Sequence, residues 1–442
     1  MSVAAPVQAM PVPAPPRPPG PVRVLVFPAG TEVGLEIGRA LERSLHVQLH
    51  GAGSRDDHGA LAFPRHARIP PLGAPEFDAQ FSALLAQWQI ELVFATHDSV
   101  QAYLAPRIAA WGAAMLANGD PEACRIARSK RATLDMFAHT GWVPRRHDEA
   151  AAITQWPVAV KPDAGQGGQG FARADDAAML AQAMAAVSQP LVTEYLPGEE
   201  ISVDCFSDRH GRLLYVGPRS RERVVGGIAM RSRPLPADAT VSAIAAAIHA
   251  RLALRGPWFL QLRRDAHGRW KLLEFSCRLS TGSTVARAAG VNLPLLMVQD
   301  FLGRDVEVLP EPRLRVLERR LEHHAVLDYD FDTCYFDLDD TLVCNGVANP
   351  AAMRLAYRLL ERGKRLVLLT RHAGDIACTL ASARIAPGLF DEIVHLREGE
   401  PKSAAIHPPS LFIDNHFPER LEVSRHHGIP VFDVDALDLL YR

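Results

Sequence analysis

The spacing of apolar positions changes period along this chain, and the changes divide it into segments. Residues 22–27 form a short apolar, β-branched run closed by Pro28-Ala29-Gly30, after which Val33, Ile37, Leu41 and Leu45 recur at helical spacing. A second apolar run at 90–95 is followed by Thr96-His97-Asp98, and the alternation predicts a parallel α/β unit ending near Asn118-Gly119-Asp120. Asp120-Pro121-Glu122 puts a capping side chain ahead of a first-turn proline, which predicts a helix running to about His139 and stopped by Gly141. Strands then read at 158–161, 191–195, 201–206, 213–216, 258–263 and 270–275, with helices near 176–188, 240–253 and 292–302. That middle region is α+β. Pro310-Glu311-Pro312 marks a boundary, 313–330 reads as a charged connector, and from Thr333 a regular β-α-β-α pattern returns. The expected domains are therefore 22–118, 119–312 and 331–442, preceded by a flexible tail at 1–21 that holds eight prolines.

Composition narrows the function classes. A chain of 442 residues has room for two to four domains, and 48% hydrophobic with 22% charged residues describes a globular protein with large cores. A formal net charge of -2 argues against broad binding to nucleic acid or a membrane surface. The six cysteines include no C-x-x-C pair, which reads as reduced thiols and a cytoplasmic location. No apolar run reaches the roughly 18 residues of a membrane span.

Two stretches carry chemistry. In the first, a strand ends in Lys161 and leads into a loop with Gly165, Gly167, Gly168 and Gly170. Glycines let backbone N–H groups turn toward an anion, and the lysine adds a full charge for a phosphate. Lys130 supplies a second cation. Thr193-Glu194-Tyr195-Leu196-Pro197-Gly198 breaks a strand in a hinge that offers backbone donors and acceptors to a purine edge, with Glu200 in reach of ribose hydroxyls. Glu274, Ser276 and Arg278 alternate along one face at a strand end, where the glutamate suits magnesium and the arginine suits a phosphoryl group in transfer.

These residues, in this order, resemble the ATP-grasp superfamily, and within it the carbamoyl-phosphate-synthetase-like carboxylate–amine ligases. The resemblance covers about residues 22–308, including Ala289-Gly290-Val291-Asn292-Leu293-Pro294. It implies that Lys130 and Lys161 hold ATP phosphates under the 165–170 loop, that Glu194, Tyr195 and Leu196 line adenine, and that Glu200 reaches ribose. It further implies magnesium, or Mn2+ in its place, on Gln261 and Glu274, and an acyl-phosphate stabilised by Arg278. The family usually carries asparagine at the position of Ser276. The shorter serine is expected to hold a second ion weakly or through water. Arg223, Gly226-Gly227 and Arg231 lie on a segment expected either to face the carboxylate substrate or to be a solvated arginine-rich loop, with Arg231 the better candidate for binding.

The second stretch is Asp337-Leu338-Asp339-Asp340-Thr341, three carboxylates at the end of an apolar run. Close negative charges repel and resist burial, so a cation is expected there. Leu366-Val367-Leu368-Leu369-Thr370, Lys402 and Leu411-Phe412-Ile413-Asp414-Asn415 follow in order. Together the four motifs resemble the haloacid-dehalogenase (HAD) superfamily, whose fold is a doubly wound parallel sheet. By that resemblance Asp337 is a nucleophile toward phosphorus and Asp339 the acid and base. Thr370 and Lys402 hold phosphoryl oxygens, and Asp337, Asp414 and the Asp339 carbonyl bind magnesium. Asn415 departs from the frequent double-acid pattern, with Glu419 a substitute ligand. Only 28 residues separate Thr341 from Thr370 and 31 separate Thr370 from Lys402, which leaves no room for a cap domain.

The expectation is a bifunctional enzyme: an ATP-dependent ligase for small carboxylate and amine substrates, joined to a magnesium-dependent phosphohydrolase with a phosphorylated substrate. Two other readings stay open. One keeps the ligase and makes the C-terminal domain a non-catalytic regulator. The other is a nucleotide- or metabolite-binding regulatory protein. Neither nucleic acid nor membrane is an expected partner, and a homodimer is one option, since related ligases are often dimers.

Overall fold

The computed structural model describes residues 20–112, 114–165 and 168–440. The expected tail therefore lies almost wholly outside the described residues. The chain divides into two compact units, 1–319 and 320–442.

The first unit begins with a five-stranded parallel sheet. Its central strand, Val22–Phe27, pairs with Val47–Gly53 on one side and Leu92–Ala95 on the other. His66–Arg68 and Met115–Leu116 form the edges. The helix Glu32–Leu41 is capped by the Thr31 hydroxyl, which accepts from the Gly34 N–H, and it buries Val33, Ile37 and Leu41. Leu45 falls beyond that helix and is exposed, so the apolar spacing overran the element by a turn. Strand order reverses on either side of Val22–Phe27. The loops after that strand and after Leu92–Ala95 therefore open onto one crevice, where parallel sheets bind ligands.

Two antiparallel sheets follow. The smaller joins Ala172–Ala174, Val158–Pro162 and Pro190–Glu194. The larger runs Leu213–Ser220, Glu200–Ser207, Gly256–Arg264, Trp270–Ser276. The helices Ala177–Ala185, Ala239–Arg251 and Leu293–Phe301 match the apolar periodicity closely.

Three features differ from the sequence reading. The single helix expected over 120–139 is two, Pro121–Arg128 and Lys130–Phe137, because Ser129 leaves helical geometry to cap the second. Its hydroxyl accepts from the Ala132 N–H and donates to the Asp163 carboxylate. A hairpin of Glu222–Val225 and Ile228–Ser232 was not anticipated. Leu317–Glu318 adds a third strand to it, so part of the expected connector is built into the first unit.

The second unit is a five-stranded parallel sheet. Thr333–Phe336 is central, flanked by Arg365–Thr370 and Ser410–Ile413, with Glu392–His395 and Val431–Phe432 outside. The helix Pro350–Glu361 is capped by Asn349 and buries Ala352, Leu355, Ala356 and Leu359. Between Thr341 and that helix lies a ribbon of Val343–Cys344 and Val347–Ala348.

Leu260 sits fully buried in the strand between Glu200–Ser207 and Trp270–Ser276. Leu260→Ala is expected to lower stability by about 2–5 kcal/mol through lost burial and a residual cavity. Chemical denaturation of the variant against wild type measures it.

Candidate functional sites

In the first unit a cavity of about 590 Å³ lies between the two antiparallel sheets and the loops of the parallel sheet. Lys161 reaches it from the strand Val158–Pro162, and Lys130 from the first turn of its helix. Asp163 fixes the two lysines to one another. Its backbone carbonyl accepts from the Lys130 N–H at 3.1 Å, and its carboxylate accepts from the Arg131 N–H at 2.7 Å and from the Ser129 hydroxyl. Lys130 Nζ donates to the Gly165 carbonyl at 3.3 Å and lies 3.6 Å from Glu274 Oε2. Burial pushes the Lys161 ammonium down to about 8, against the pull of Glu274 and with the push of Lys130. The site thus holds two close cations and a carboxylate.

Gly165 and Gly168 line the cavity, and Gly168 and Gly170 take the positive φ values of 75° and 71° that a tight loop requires. Gly167 lies outside the described residues. Glu194, Tyr195 and Leu196 form another stretch of wall. Glu194 accepts the Arg145 N–H at 3.0 Å, and Glu200 pairs with Arg221 at 2.7 Å. Gln261 and Glu274 stand directly opposite in adjacent strands, and both face the cavity. Their oxygens are hard donors of the kind a magnesium ion takes.

Ser276 departs from the expected ligand set. It is buried, it is not among the residues lining the cavity, and its hydroxyl donates to Asp98. Arg278 does line the cavity, and donates to the other Asp98 oxygen at 2.6 Å. Burial pushes the Asp98 carboxyl up, yet Arg278 and Ser276 together hold it below the usual carboxylate range. Asp98 thus belongs to the cavity wall although no sequence motif marks it. It follows a strand of the parallel sheet, and nothing in its local spacing links it to residues 276–278. Arg231 is a correction: it is absent from the cavity wall and pairs with Glu222 and Glu318 along the hairpin. Arg223 pairs with Glu318 as well. The arginines of this region that border the cavity are Arg219 and Arg221.

In the second unit the strand ends gather Asp337, Thr370 and Asp414, all buried. Lys402 enters from a short 3-10 turn, and its Nζ donates to Asp337 Oδ1 and Asp414 Oδ2, both at 2.6 Å. Burial lowers the affinity of Lys402 for its proton, but the two carboxylates more than offset this and hold it above the usual lysine value. For Asp337 burial dominates: despite Lys402, and with the help of Asp414, its carboxyl is pushed up to about 6. Asp339 is more exposed, and both its oxygens lie 3.0 Å from His372 Nδ1. The Thr370 hydroxyl accepts the His372 N–H at 3.1 Å. Asn415 turns to Thr341, donating its N–H to that hydroxyl at 3.0 Å. Glu419, expected as a substitute ligand, is held by both terminal nitrogens of Arg371. Among the described residues no three His, Cys, Asp or Glu side chains already form a metal cluster. Even so, Asp337 and Asp414 converge on one cation position, now held by Lys402, and their oxygens suit a hard ion.

Comparison with known proteins bears on the first unit. Residues 186–323 match the family model described as ATP-grasp in the biosynthetic pathway with Ter operon. No curated protein matches the sequence. The chain is similar in structure to the biotin carboxylase domain of Hydrogenobacter thermophilus 2-oxoglutarate carboxylase, in complex with MgADP, ADP and bicarbonate. That match has TM-score 0.55 and 14% identity, and covers 66% of this chain and 72% of that one. It is also similar to L-amino acid ligase from Bacillus licheniformis, with TM-score 0.53, 18% identity and coverage of 65% and 75%. A third similar structure is N5-carboxyaminoimidazole synthetase from Staphylococcus aureus complexed with ADP, with TM-score 0.54, 12% identity and coverage of 65% and 78%. The second unit is too short to hold matches of that length, so the shared fold lies mainly in the first. Among the described residues no helix is long and apolar enough to cross a membrane.

Replacing Lys402 tests how the second site is held. Lys402→Met leaves two buried carboxylates without their cation and is expected to cost about 3–5 kcal/mol. Asp337 titrates near 6 when folded and near ~3.9 when unfolded. The folded state therefore holds the extra proton between those values, and this group's contribution to stability falls as pH rises through that window. Without Lys402 the folded value climbs further, so the variant's deficit should be larger at pH 8 than at pH 5. Urea denaturation at the two pH values reads it. The first unit shares its fold with these solved enzymes, and residues 186–323 match an ATP-grasp family model.

Proposed function

We propose that the chain is an ATP- and magnesium-dependent carboxylate–amine ligase (or one using another nucleophile), joined to a HAD-type magnesium-dependent phosphohydrolase. The observation that supports the ligase most is the placing of Lys130, Lys161 and Glu274 on one cavity, in a fold shared with enzymes solved with ADP and MgADP. Lys130 and Lys161 hold the phosphates, the 165–170 loop covers them, and Glu194, Tyr195 and Leu196 line the base, with Glu200 toward the ribose. Gln261 and Glu274 fit a magnesium ion, which when bound screens phosphate charge. Ser276 serves instead through Asp98.

The chemistry then takes two steps. An oxygen of the substrate carboxylate forms a bond to the γ-phosphorus as the bond to ADP breaks, giving an acyl-phosphate. The amine nitrogen next bonds to the acyl carbon, the carbon–oxygen bond to phosphate breaks, and the amine loses a proton. The protein contributes positioning and charge: Arg278, aligned by Asp98, faces the oxygens that gain charge. A depressed Lys161 regains its proton as phosphate approaches, so binding is accompanied by proton uptake near pH 8.

For the second unit, the meeting of Asp337, Asp414, Thr370 and Lys402 at the carboxyl ends of a parallel sheet supports phosphoryl transfer. Asp337 attacks phosphorus and the leaving oxygen takes a proton from Asp339, after which water cleaves the aspartyl-phosphate. Asp337 and Asp414 would hold magnesium, which when bound offsets phosphoryl charge. Lys402 then turns its ammonium to the phosphoryl oxygens.

Two assays on the full chain with magnesium test both halves. Glu274→Ala should cut ADP formation with carboxylates and amines by about 100-fold or more and spare release of phosphate from an aryl phosphate. Asp337→Asn should abolish phosphate release and spare ADP formation. Loss of both activities from one change would refute independent sites.

A further inference from the structure

Arg219, on the strand Leu213–Ser220, is only 2% exposed and borders the cavity of the first unit. Its guanidinium is held from two sides. Nε donates to Asp204 Oδ2 at 2.9 Å and NH2 to the Ser280 hydroxyl at 3.0 Å, while that hydroxyl donates to Asp204 Oδ1 at 2.5 Å. Both Asp204 oxygens are thereby used, and Arg219 NH1 has no acceptor. A buried cationic N–H without an acceptor is costly, and folded proteins leave few of them. The backbone makes room for this one. A Cβ on Gly282 would stand 2.2 Å from the guanidinium carbon and 2.3 Å from NH1.

The charges around this unmet donor are paired. Thr31 and Glu32, at the start of the ten-residue helix Glu32–Leu41, share this wall with Thr281. Arg319 packs behind it, donating to the Thr281 carbonyl and lying 3.5 Å from Glu32 Oε2. Burial lowers Arg319 from the usual arginine value, and the nearby Arg219 charge adds to that. The Glu32 carboxylate is thus compensated by Arg319, as Asp204 is by Arg219.

We propose that Arg219 anchors the substrate acid, with one carboxylate oxygen on NH1, and that Arg319 is a positioning residue that neutralises Glu32 and fixes Thr281. Nε is committed to Asp204 and one N–H of NH2 to Ser280, so the contact falls on NH1 once its covered edge opens toward the cavity. Assigning that oxygen to the substrate acid rests on the ligase reading; the anion site itself rests only on the geometry.

A bromide soak of crystals of the full chain tests it without any turnover. The expected result is an anomalous peak at hydrogen-bond distance from Arg219 NH1, lost in Arg219→Met. Acetate at about tenfold excess over bromide should reduce the peak by at least about fivefold by mass action. Bromide elsewhere but not at NH1, or a peak that persists in Arg219→Met, overturns the site. Displacement by inorganic phosphate but not by acetate overturns the carboxylate assignment and gives the position to a phosphoryl oxygen. Gly282→Ala, which pushes the guanidinium aside, should remove the peak while leaving Arg219 in the chain. Should ADP formation fail while bromide binds as expected, the ligase reading falls and the anion site stands.

Discussion

Among the described residues neither cations nor carboxylates are buried alone, and that constraint organises both candidate sites. An isolated charge moved out of water is too costly to keep, so the buried group either finds a partner or gives up its charge. Lys161 is pushed toward neutrality beside Glu274 and Lys130, and Asp337 toward protonation beside Lys402 and Asp414. Each is poised to change state when an ion of the right sign arrives. A phosphate would hold the Lys161 proton more firmly. A divalent cation would lower the Asp337 value back toward the usual carboxylate range.

The scaffold serves that arrangement through backbone contacts made at a distance. Asp163, two residues past Lys161, breaks the preceding helix through Ser129 and so places Lys130 at a helix start rather than in mid-helix. Asp98 comes from the parallel sheet and braces Arg278 on the antiparallel one. In the second unit, parallel register brings the ends of Thr333–Phe336, Arg365–Thr370 and Ser410–Ile413 level, so that Asp337, Thr370 and Asp414 meet without long loops.

What could be read from the chain in advance was what depends on local pattern. Strand runs such as 158–161 and 258–263 and the helix near 240–253 have short-range signatures, and the structure places them within a few residues of the expected bounds. Contacts between distant segments were not legible. Asp98 reaches Arg278 across 180 residues and Arg219 reaches Ser280 across 61, and no periodicity records such pairs. The hairpin at 222–232 offers only Val224-Val225 and Ile228-Ala229-Met230 as apolar runs, too short to stand out as strands, and Arg231, expected at the cavity, pairs with Glu222 and Glu318. Ser276 is expected from the sequence to hold an ion weakly or through water. Its hydroxyl instead has a definite partner that only the fold supplies.

The central claim is that the cavity of the first unit holds a magnesium–nucleotide complex on Lys130, Lys161 and Glu274. A crystal structure of the full chain with magnesium and a non-hydrolysable ATP analogue tests it most directly. The account predicts phosphates against both lysines, the ion on Glu274 and Gln261, and the base along Glu194, Tyr195 and Leu196. A nucleotide bound elsewhere, or a cavity left without one at saturating analogue, would contradict it.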